Sequence, residues 1–168
     1  MSCKKKEKNI INNIIKKMEE LDLKIKKSLR LGVVGYCPPT KFDEVKALEL
    51  IKHAYDRVED DFPEYRIIVV SGLTNIGVLK IAYEEAKRRD WKTAGIACKK
   101  AYSYKDNWFP VDEEPIIIGE NWGDESQAFI NSIDALVRIG SGPQSLKEAE
   151  QVRRMGKPTY EYELAKIG

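Results

Sequence analysis

Two loops rich in glycine and hydroxyl residues occupy positions where backbone amides can bind an anion. The first covers residues 71–77 and follows an apolar run at 67–70, and the second covers 140–145 and follows a run at 135–139. Each precedes a helical pattern, and a strand-to-helix loop directs free N–H groups and the positive end of the helix dipole at one point. We predict phosphate binding at both loops, by Ser71, Gly72, Thr74, Asn75, Gly77, Gly140, Ser141, Gly142, Gln144 and Ser145.

Neither loop matches a standard nucleotide motif. Residues 71–77 lack the Gly-Lys-Ser/Thr ending of a P-loop, which disfavours ATP hydrolysis of that kind. Residues 140–145 share the glycine spacing of the dinucleotide fingerprint, but only one strand follows, so the second half of such a fold is missing. A structural alternative stays open for Ser145 and Glu148, which have the spacing of a helix capping box, and for Asp124, which could cap its own helix.

Strands and helices alternate from residue 31 onward. Strand patterns lie at 31–36, 67–70, 93–98, 115–119, 135–139 and 159–164, and helical patterns lie at 41–59, 78–89, 124–132 and 145–155, with an irregular aromatic loop at 99–114. Continuous apolar strands joined by helices predict an α/β fold, a three-layer Rossmann-like parallel sheet with helices on both faces. We assign residues 31–168 to this single domain and residues 1–30 to an extra N-terminal helix.

The N-terminal helix is amphipathic and basic. Apolar residues recur at helical spacing from Ile10 to Leu29, and residues 1–30 hold ten lysines and arginines against four acids. It could pack on the flank of the sheet or on a second subunit. Attachment to a membrane surface is disfavoured because Glu19 and Glu20 lie on its polar face.

Composition narrows the class of protein. The 168 residues carry a net charge of +2 with 42% hydrophobic content, and no apolar run reaches membrane-spanning length. With no signal peptide visible, we predict a cytoplasmic protein, with no membrane partner and with nucleic acid disfavoured as the main partner. Cys3, Cys37 and Cys98 lack metal-ligand spacing and His53 is the single histidine, so we predict no metal site and no resident cofactor.

Residues 31–164 resemble the Lonely Guy (LOG) family and the wider superfamily around it, which includes proteins once labelled lysine decarboxylases and the molybdenum-cofactor carrier proteins. Residues 69–78 are similar to the first glycine loop of that family. Residues 133–148 are similar to its Asp-Ala-strand-Pro-Gly-Gly-x-Gly-Thr-x-x-Glu signature, with Gly140 in place of the proline, Gln144 in place of a glycine and Ser145 in place of the threonine. The resemblance implies a Rossmann-like sheet, a phosphate cradle at 140–145 and a homodimer.

The resemblance also suggests a reaction. LOG enzymes hydrolyse the N-glycosidic bond of a nucleoside monophosphate, and Glu148 matches their catalytic acid. A carboxylate there would stabilise an oxocarbenium-like sugar, while Asp124 or Glu125 would hold sugar hydroxyls or act as the acid. The family carries an Arg-Lys pair on the preceding helix, where this chain has Asp124 and Glu125.

Two functions follow from this pattern. The first is a hydrolase of N-glycosidic bonds in a nucleotide-like small molecule, and the alternative is a non-catalytic carrier or sensor of a nucleotide or pterin-like cofactor. A third possibility, an interaction protein that uses the N-terminal helix, remains open.

Overall fold

The computed structural model describes residues 2–167, without the side chains of residues 22–25, and contains five α-helices, a 3-10 helix and six strands in that range. The helices are α1 (Cys3–Ile25), α2 (Glu44–Asp61), α3 (Gly77–Arg88), the 3-10 helix (Lys99–Asn107), α4 (Ser126–Ser132) and α5 (Pro143–Arg154). The strands are β1 (Ser28–Gly35), β2 (Arg66–Ser71), β3 (Lys92–Ala97), β4 (Ile116–Ile117), β5 (Ala135–Ile139) and β6 (Thr159–Tyr162).

All six strands form one parallel sheet in the order β4-β3-β2-β1-β5-β6. The chain runs outward from β1 to β4, then returns to the other side of β1 for β5 and β6. The strand order therefore reverses between β1 and β5, and in open parallel sheets a ligand binds at the carboxyl ends of the strands beside such a reversal. The segments that follow Gly35 and Ile139 flank this position.

Helices cover both faces of the sheet, as the sequence predicts. On one face α2 and α3 bury apolar side chains such as Ile51 and Tyr83 against β1, β2 and β5. On the other face α4 and α5 bury Ile130, Ala149 and Val152 against the opposite sides of the central strands. Because strand side chains alternate between the two faces, an apolar strand such as β5 supplies both layers, and the predicted three-layer α/β architecture is confirmed.

Several element boundaries differ from the sequence prediction. Helix α5 begins at Pro143 rather than at Ser145, because proline already has the backbone geometry of a first helical residue. Residues 99–107 form a 3-10 helix where the sequence predicts an irregular loop. Strand β4 shrinks to Ile116–Ile117 at the edge of the sheet.

Helix α1 does not pack on the sheet. Every described side chain from Ser2 to Leu21 is exposed, including the apolar residues of its amphipathic face. Ile25, which the spacing places on that face, lies outside the described side chains, as Met1 and Gly168 lie outside the described residues. Within residues 2–167, none of the helices combines the length and the apolar character needed to cross a bilayer.

Candidate functional site

The loop between β5 and α5 leaves a group of backbone amides free. Gly140 makes the turn at φ +84°, and α5 then begins at Pro143, which has no N–H of its own. Within residues 2–167, the N–H groups of Gly142, Gln144 and Ser145 in this loop donate to no protein acceptor, whereas Ser141 N–H hydrogen-bonds to the Tyr36 hydroxyl. The three residues Gly142, Gln144 and Ser145 are called the α5 cradle below. Free N–H groups at a helix N-terminus attract an anion, so the cradle fits a phosphate group.

Tyr36, which follows β1, holds this loop in place. A Cβ added to Gly140 would lie 2.4 Å from a carbon of the Tyr36 ring, so only glycine permits this contact. The Tyr36 hydroxyl donates to the Leu164 carbonyl at 3.0 Å and lies 3.1 Å from the Ser141 hydroxyl. The hydrogen bond with Ser141 lowers the pKa of Tyr36. The end of β1 therefore sets the position of the cradle.

A buried arginine supports the same loop from within β5. The Arg138 side chain is only 6% exposed and forms ion pairs with Glu161 at 2.9 Å and Glu163 at 2.7 Å. It also donates to the Gly140 carbonyl. The two acids of β6 and the segment after it thus neutralise Arg138. An arginine within an otherwise apolar strand is the sequence signal for this network.

Glu148 lies in the second turn of α5 and is buried. Its side chain accepts a hydrogen bond from the Ser126 hydroxyl at 3.0 Å, and the residue is 6% exposed. Burial raises the pKa of Glu148 to about 7, the charge of Glu125 raises it further, and hydrogen bonds from Ser126 and Gln144 act in the opposite direction. A carboxyl group with such a pKa exchanges its proton near neutral pH.

An open cavity of about 490 Å³ borders the cradle. The cavity lies between α5 and the start of α4. It is lined by Gly123, Ser126, Pro143, Gln144, Lys147 and Gln151. Ligand pockets of small molecules usually have volumes of roughly 300–1,000 Å³, and this cavity lies within that range. Lys147 contributes a cation beside the cradle, and this residue and Ser126 were not among the sequence candidates.

The two acids before α4 have different surroundings from Glu148. The Asp124 carboxylate accepts hydrogen bonds from the N–H groups of Glu120 at 3.0 Å and Asn121 at 2.9 Å. It therefore stabilises the turn at residues 120–124. Glu125 accepts from Gly123 N–H at 3.1 Å and lies close enough to influence the pKa of Glu148. Asp124 does not cap α4, because that helix begins at Ser126.

The capping-box alternative for Ser145 and Glu148 is wrong. The N-cap of α5 is Gly142, and no side chain caps this helix. Ser145 instead lies within the first turn, and Glu148 bonds to Ser126 on the neighbouring helix. The donors that a capping box would occupy are therefore left free.

Other parts of the chain occupy some of the hydrogen-bond donors of the first glycine loop, residues 71–77. Asn75 N–H donates to the Asn107 carbonyl at 2.7 Å, and Val78 N–H donates to the Tyr36 carbonyl at 2.9 Å. The Ser71 hydroxyl donates to the Val33 carbonyl, and its N–H donates to the Tyr83 hydroxyl. Thr74 pairs with Trp108 in a short antiparallel bridge. These contacts engage the N–H groups of Ser71 and Asn75. Among the described residues, the N–H groups of Gly72, Thr74 and Gly77 donate to no protein acceptor, and phosphate binding at this loop stays a prediction.

Gly77 has a structural role in that loop. Its φ is +65°, and a Cβ added there would lie 2.4 Å from the Tyr36 carbonyl oxygen. Gly72 lies beside Tyr83, whose hydroxyl donates to the Gly72 carbonyl at 2.7 Å. The loop holds α3 against the end of β1 and thereby steadies Tyr36, which in turn contacts the cradle.

The remaining reactive side chains lie outside the cavity lining. Cys98 is buried, while Cys3 and Cys37 are exposed. His53 on α2 makes an edge contact with the Tyr162 ring at 5.6 Å. Among the described residues, no group of three or more His, Cys, Asp or Glu side chains is placed to hold a metal ion.

A doubly wound parallel sheet with an amide cradle at its strand-order reversal defines the class of Rossmann-like binding folds. A molybdenum cofactor binding protein from the phototrophic bacterium Rippkaea orientalis is similar to this chain, with 20% identity and a TM-score of 0.60 over 80% of this chain and 76% of that one. The molybdenum cofactor carrier protein of Chlamydomonas reinhardtii is similar at 25% identity and a TM-score of 0.58, with the same coverage. No family model and no curated protein matches the chain. The structural likeness confirms, for the fold, the predicted resemblance to the LOG and molybdenum-cofactor-carrier superfamily.

Proposed function

We propose that this protein binds a phosphorylated small molecule, of the size of a nucleotide or a pterin cofactor, and carries it without chemical change. The observation on which this proposal rests is the set of three unpaired N–H groups in the α5 cradle, those of Gly142, Gln144 and Ser145. They can donate to phosphate oxygens directly, and Lys147 adds a positive charge beside them. Two structurally similar proteins are named for binding or carrying the molybdenum cofactor, which supports a carrier role here.

The cavity also fits the remainder of such a ligand. The phosphate would lie on the cradle, and the ring system would extend along Gly123 and Gln151 across the opening. A protonated Glu148 would favour phosphate binding, because a carboxylate in the second turn of α5 repels an anion at the N-terminus of that helix. Burial raises the pKa of Glu148 to about 7, so its carboxyl group titrates near neutral pH.

A direct test measures binding and recovery of the ligand. Isothermal calorimetry with AMP and with a phosphorylated pterin should show saturable binding, and chromatography should return each compound intact. Gly142→Glu, which adds a carboxylate to the cradle, should weaken binding at least tenfold. Met155→Glu adds the same charge at the far end of α5 and should leave affinity unchanged. Equal affinity in all three proteins, or no binding of either compound, would contradict the proposal.

Hydrolysis of an N-glycosidic bond is a second candidate function. It is favoured by the pKa of Glu148, because a carboxyl group that titrates near 7 can act as a general acid at neutral pH. The opposing observation is Asp124, whose carboxylate is occupied by backbone N–H groups. Release of free adenine from AMP, abolished by Glu148→Gln, would establish this activity and replace the carrier proposal.

The proposal keeps three further expectations from the sequence. The protein would act as a single domain from residue 31 onward, in the cytoplasm, and as a homo-oligomer. The ligand would be a small molecule rather than a nucleic acid.

A further inference from the structure

The apolar face of α1 has no partner within the described chain. Six large side chains on this helix are between 48% and 64% exposed: Ile10, Ile11, Ile14, Ile15, Met18 and Leu21. Monomeric proteins seldom expose a continuous apolar patch beyond about 300–600 Å². The other long helices, α2, α3 and α5, each bury their apolar face against the sheet. We therefore expect the exposed apolar face of α1 to pack against another surface.

The spacing of these residues matches a surface that a second copy of the same helix would cover. Ile11, Ile14, Met18 and Leu21 follow one another at intervals of three, four and three, which are the a and d positions of a heptad repeat. Ile10 and Ile15 then occupy the flanking g and e positions. Such a seam is self-complementary, because the a and d side chains of one helix fit between those of another.

We propose that α1 pairs in parallel with α1 of a second copy of this chain. A parallel pair places Ile10 of one helix beside Ile15 of the partner subunit, since a g position neighbours the following e position across the seam. An antiparallel pair would instead set the two copies of Lys17 against each other at g positions. The observations on α1 alone support this pairing, which is independent of the ligand proposal.

Charge at the start of α1 limits the affinity of the pair. Lys4, Lys5, Lys6 and Lys8 of the two copies lie close together in the parallel arrangement. The antiparallel arrangement offers no relief, because it sets the first turns opposite Lys26 and Lys27. A seam of two heptads with this repulsion predicts a reversible dimer that added salt strengthens by screening.

Light scattering on the full chain tests the association. The mass should rise from one chain toward two as the protein concentration increases to hundreds of micromolar, and 0.5 M NaCl should shift the rise to lower concentration. Ile14→Lys should remain monomeric under all these conditions. Asn13→Lys, which places the same side chain one residue away and off the seam, should still dimerise. A single-chain mass for the wild type, or an Ile14→Lys variant that dimerises as the wild type does, overturns the proposal.

A cysteine at an a position tests the orientation of the two helices. Lys4 lies one heptad before Ile11, so a Lys4→Cys thiol lies opposite its own copy across a parallel seam, whereas an antiparallel pair separates the two thiols by more than about 30 Å. In a Cys3→Ser and Cys37→Ser background, with Cys98 buried, the oxidant diamide should convert most of the Lys4→Cys protein to a disulfide-linked dimer. Ile14→Lys should suppress this cross-link. Dimers in scattering without the Lys4→Cys cross-link would overturn the parallel arrangement.

Binding to lipid vesicles tests the competing explanation, in which the apolar face of α1 lies on a membrane. Basic amphipathic helices also lie on anionic membranes. If the chain stays monomeric in solution and co-sediments with vesicles of phosphatidylserine and phosphatidylcholine, and Ile14→Lys abolishes that sedimentation, the self-pairing proposal is wrong.

Discussion

Glu148 shows how a single residue acquires its chemistry from its neighbours. In the sequence, Glu148 is a candidate because it matches the catalytic acid of the LOG family. In the structure, its properties depend on the hydrogen bond from Ser126, 22 residues away, and on its burial. A buried carboxyl group resists ionisation because it loses hydration that the protein only partly replaces. Proton binding at Glu148 is therefore coupled to folding.

Glu148→Gln should change how stability depends on pH. The folded pKa of about 7 lies above the unfolded value near 4.5, so between these values the native state holds a proton that the unfolded chain has released. Stability is then fully present below about pH 4.5 and falls as the pH rises through about 7, by about 3 kcal/mol. Urea denaturation at pH 5 and pH 8 should show this loss in the wild type relative to Glu148→Gln. Parallel stability profiles for the two proteins would contradict the assigned pKa.

Two glycines of the second loop should respond differently to the same substitution. Gly140→Ala places a Cβ against the Tyr36 ring at a positive φ, and we expect a loss of at least about 2 kcal/mol. Gly142→Ala has an ordinary φ of −62° and a nearest Cβ contact of 3.8 Å, so its stability should stay within about 0.5 kcal/mol of the wild type. Thermal unfolding of both variants checks the difference. A comparable loss in both would show that Tyr36 does not pack as described.

At the scale of elements, two loops with similar sequences have different roles. Both join a buried strand to a helix, and both contain two glycines. Residues 107–109 pair with residues 73–75 of the first loop, and the Asn107 carbonyl accepts from Asn75 N–H. Within residues 2–167, no such segment pairs with the three N–H groups of the α5 cradle. A local sequence pattern cannot show this, because the covering segment lies more than 30 residues away.

Strands β5 and β6 depend on the Arg138 network, and its members should contribute unequally. Arg138→Leu leaves Glu161 and Glu163 without their buried partner and removes the bond to the Gly140 carbonyl, so we expect a loss of about 3 kcal/mol. Glu163→Gln should cost less than about 1 kcal/mol, because that side chain is 72% exposed. Chemical denaturation at pH 7 compares them. Equal losses would mean that the exposed pair, rather than buried Arg138, governs the loop.

At the scale of the whole molecule, the order of the strands determines where a ligand can bind. The reversal between β1 and β5 brings Tyr36 to the start of the β5–α5 loop, although about 100 residues separate them. Helix α1 lies outside this arrangement, since its described side chains contact neither face of the sheet. The molecule therefore joins a packed sheet to a helix that lacks a tertiary partner within the chain.

Hydrogen exchange should reveal this difference in packing. In dilute protein the amides of α1 should exchange first, and those of β2 and β1 should exchange last because these two strands lie at the centre of the sheet. At high protein concentration, pairing should slow exchange in α1 and leave the other helices unchanged. Mass spectrometry of peptic peptides measures both. Strong protection of α1 in dilute protein would show that it packs on its own chain.

The sequence alone determined the alternation of strands and helices, the parallel sheet and the amphipathic character of α1. These features depend on the local periodicity of apolar residues and on the short connections between elements, and both can be read directly from the sequence. Only the tertiary structure decided which amides of each glycine loop are paired, which acid is buried and which side chains contact it. Those outcomes depend on contacts such as Asn75 with Asn107 and Ser126 with Glu148. Burial and hydrogen-bond pairing are properties of the packed chain, because they arise when distant segments meet.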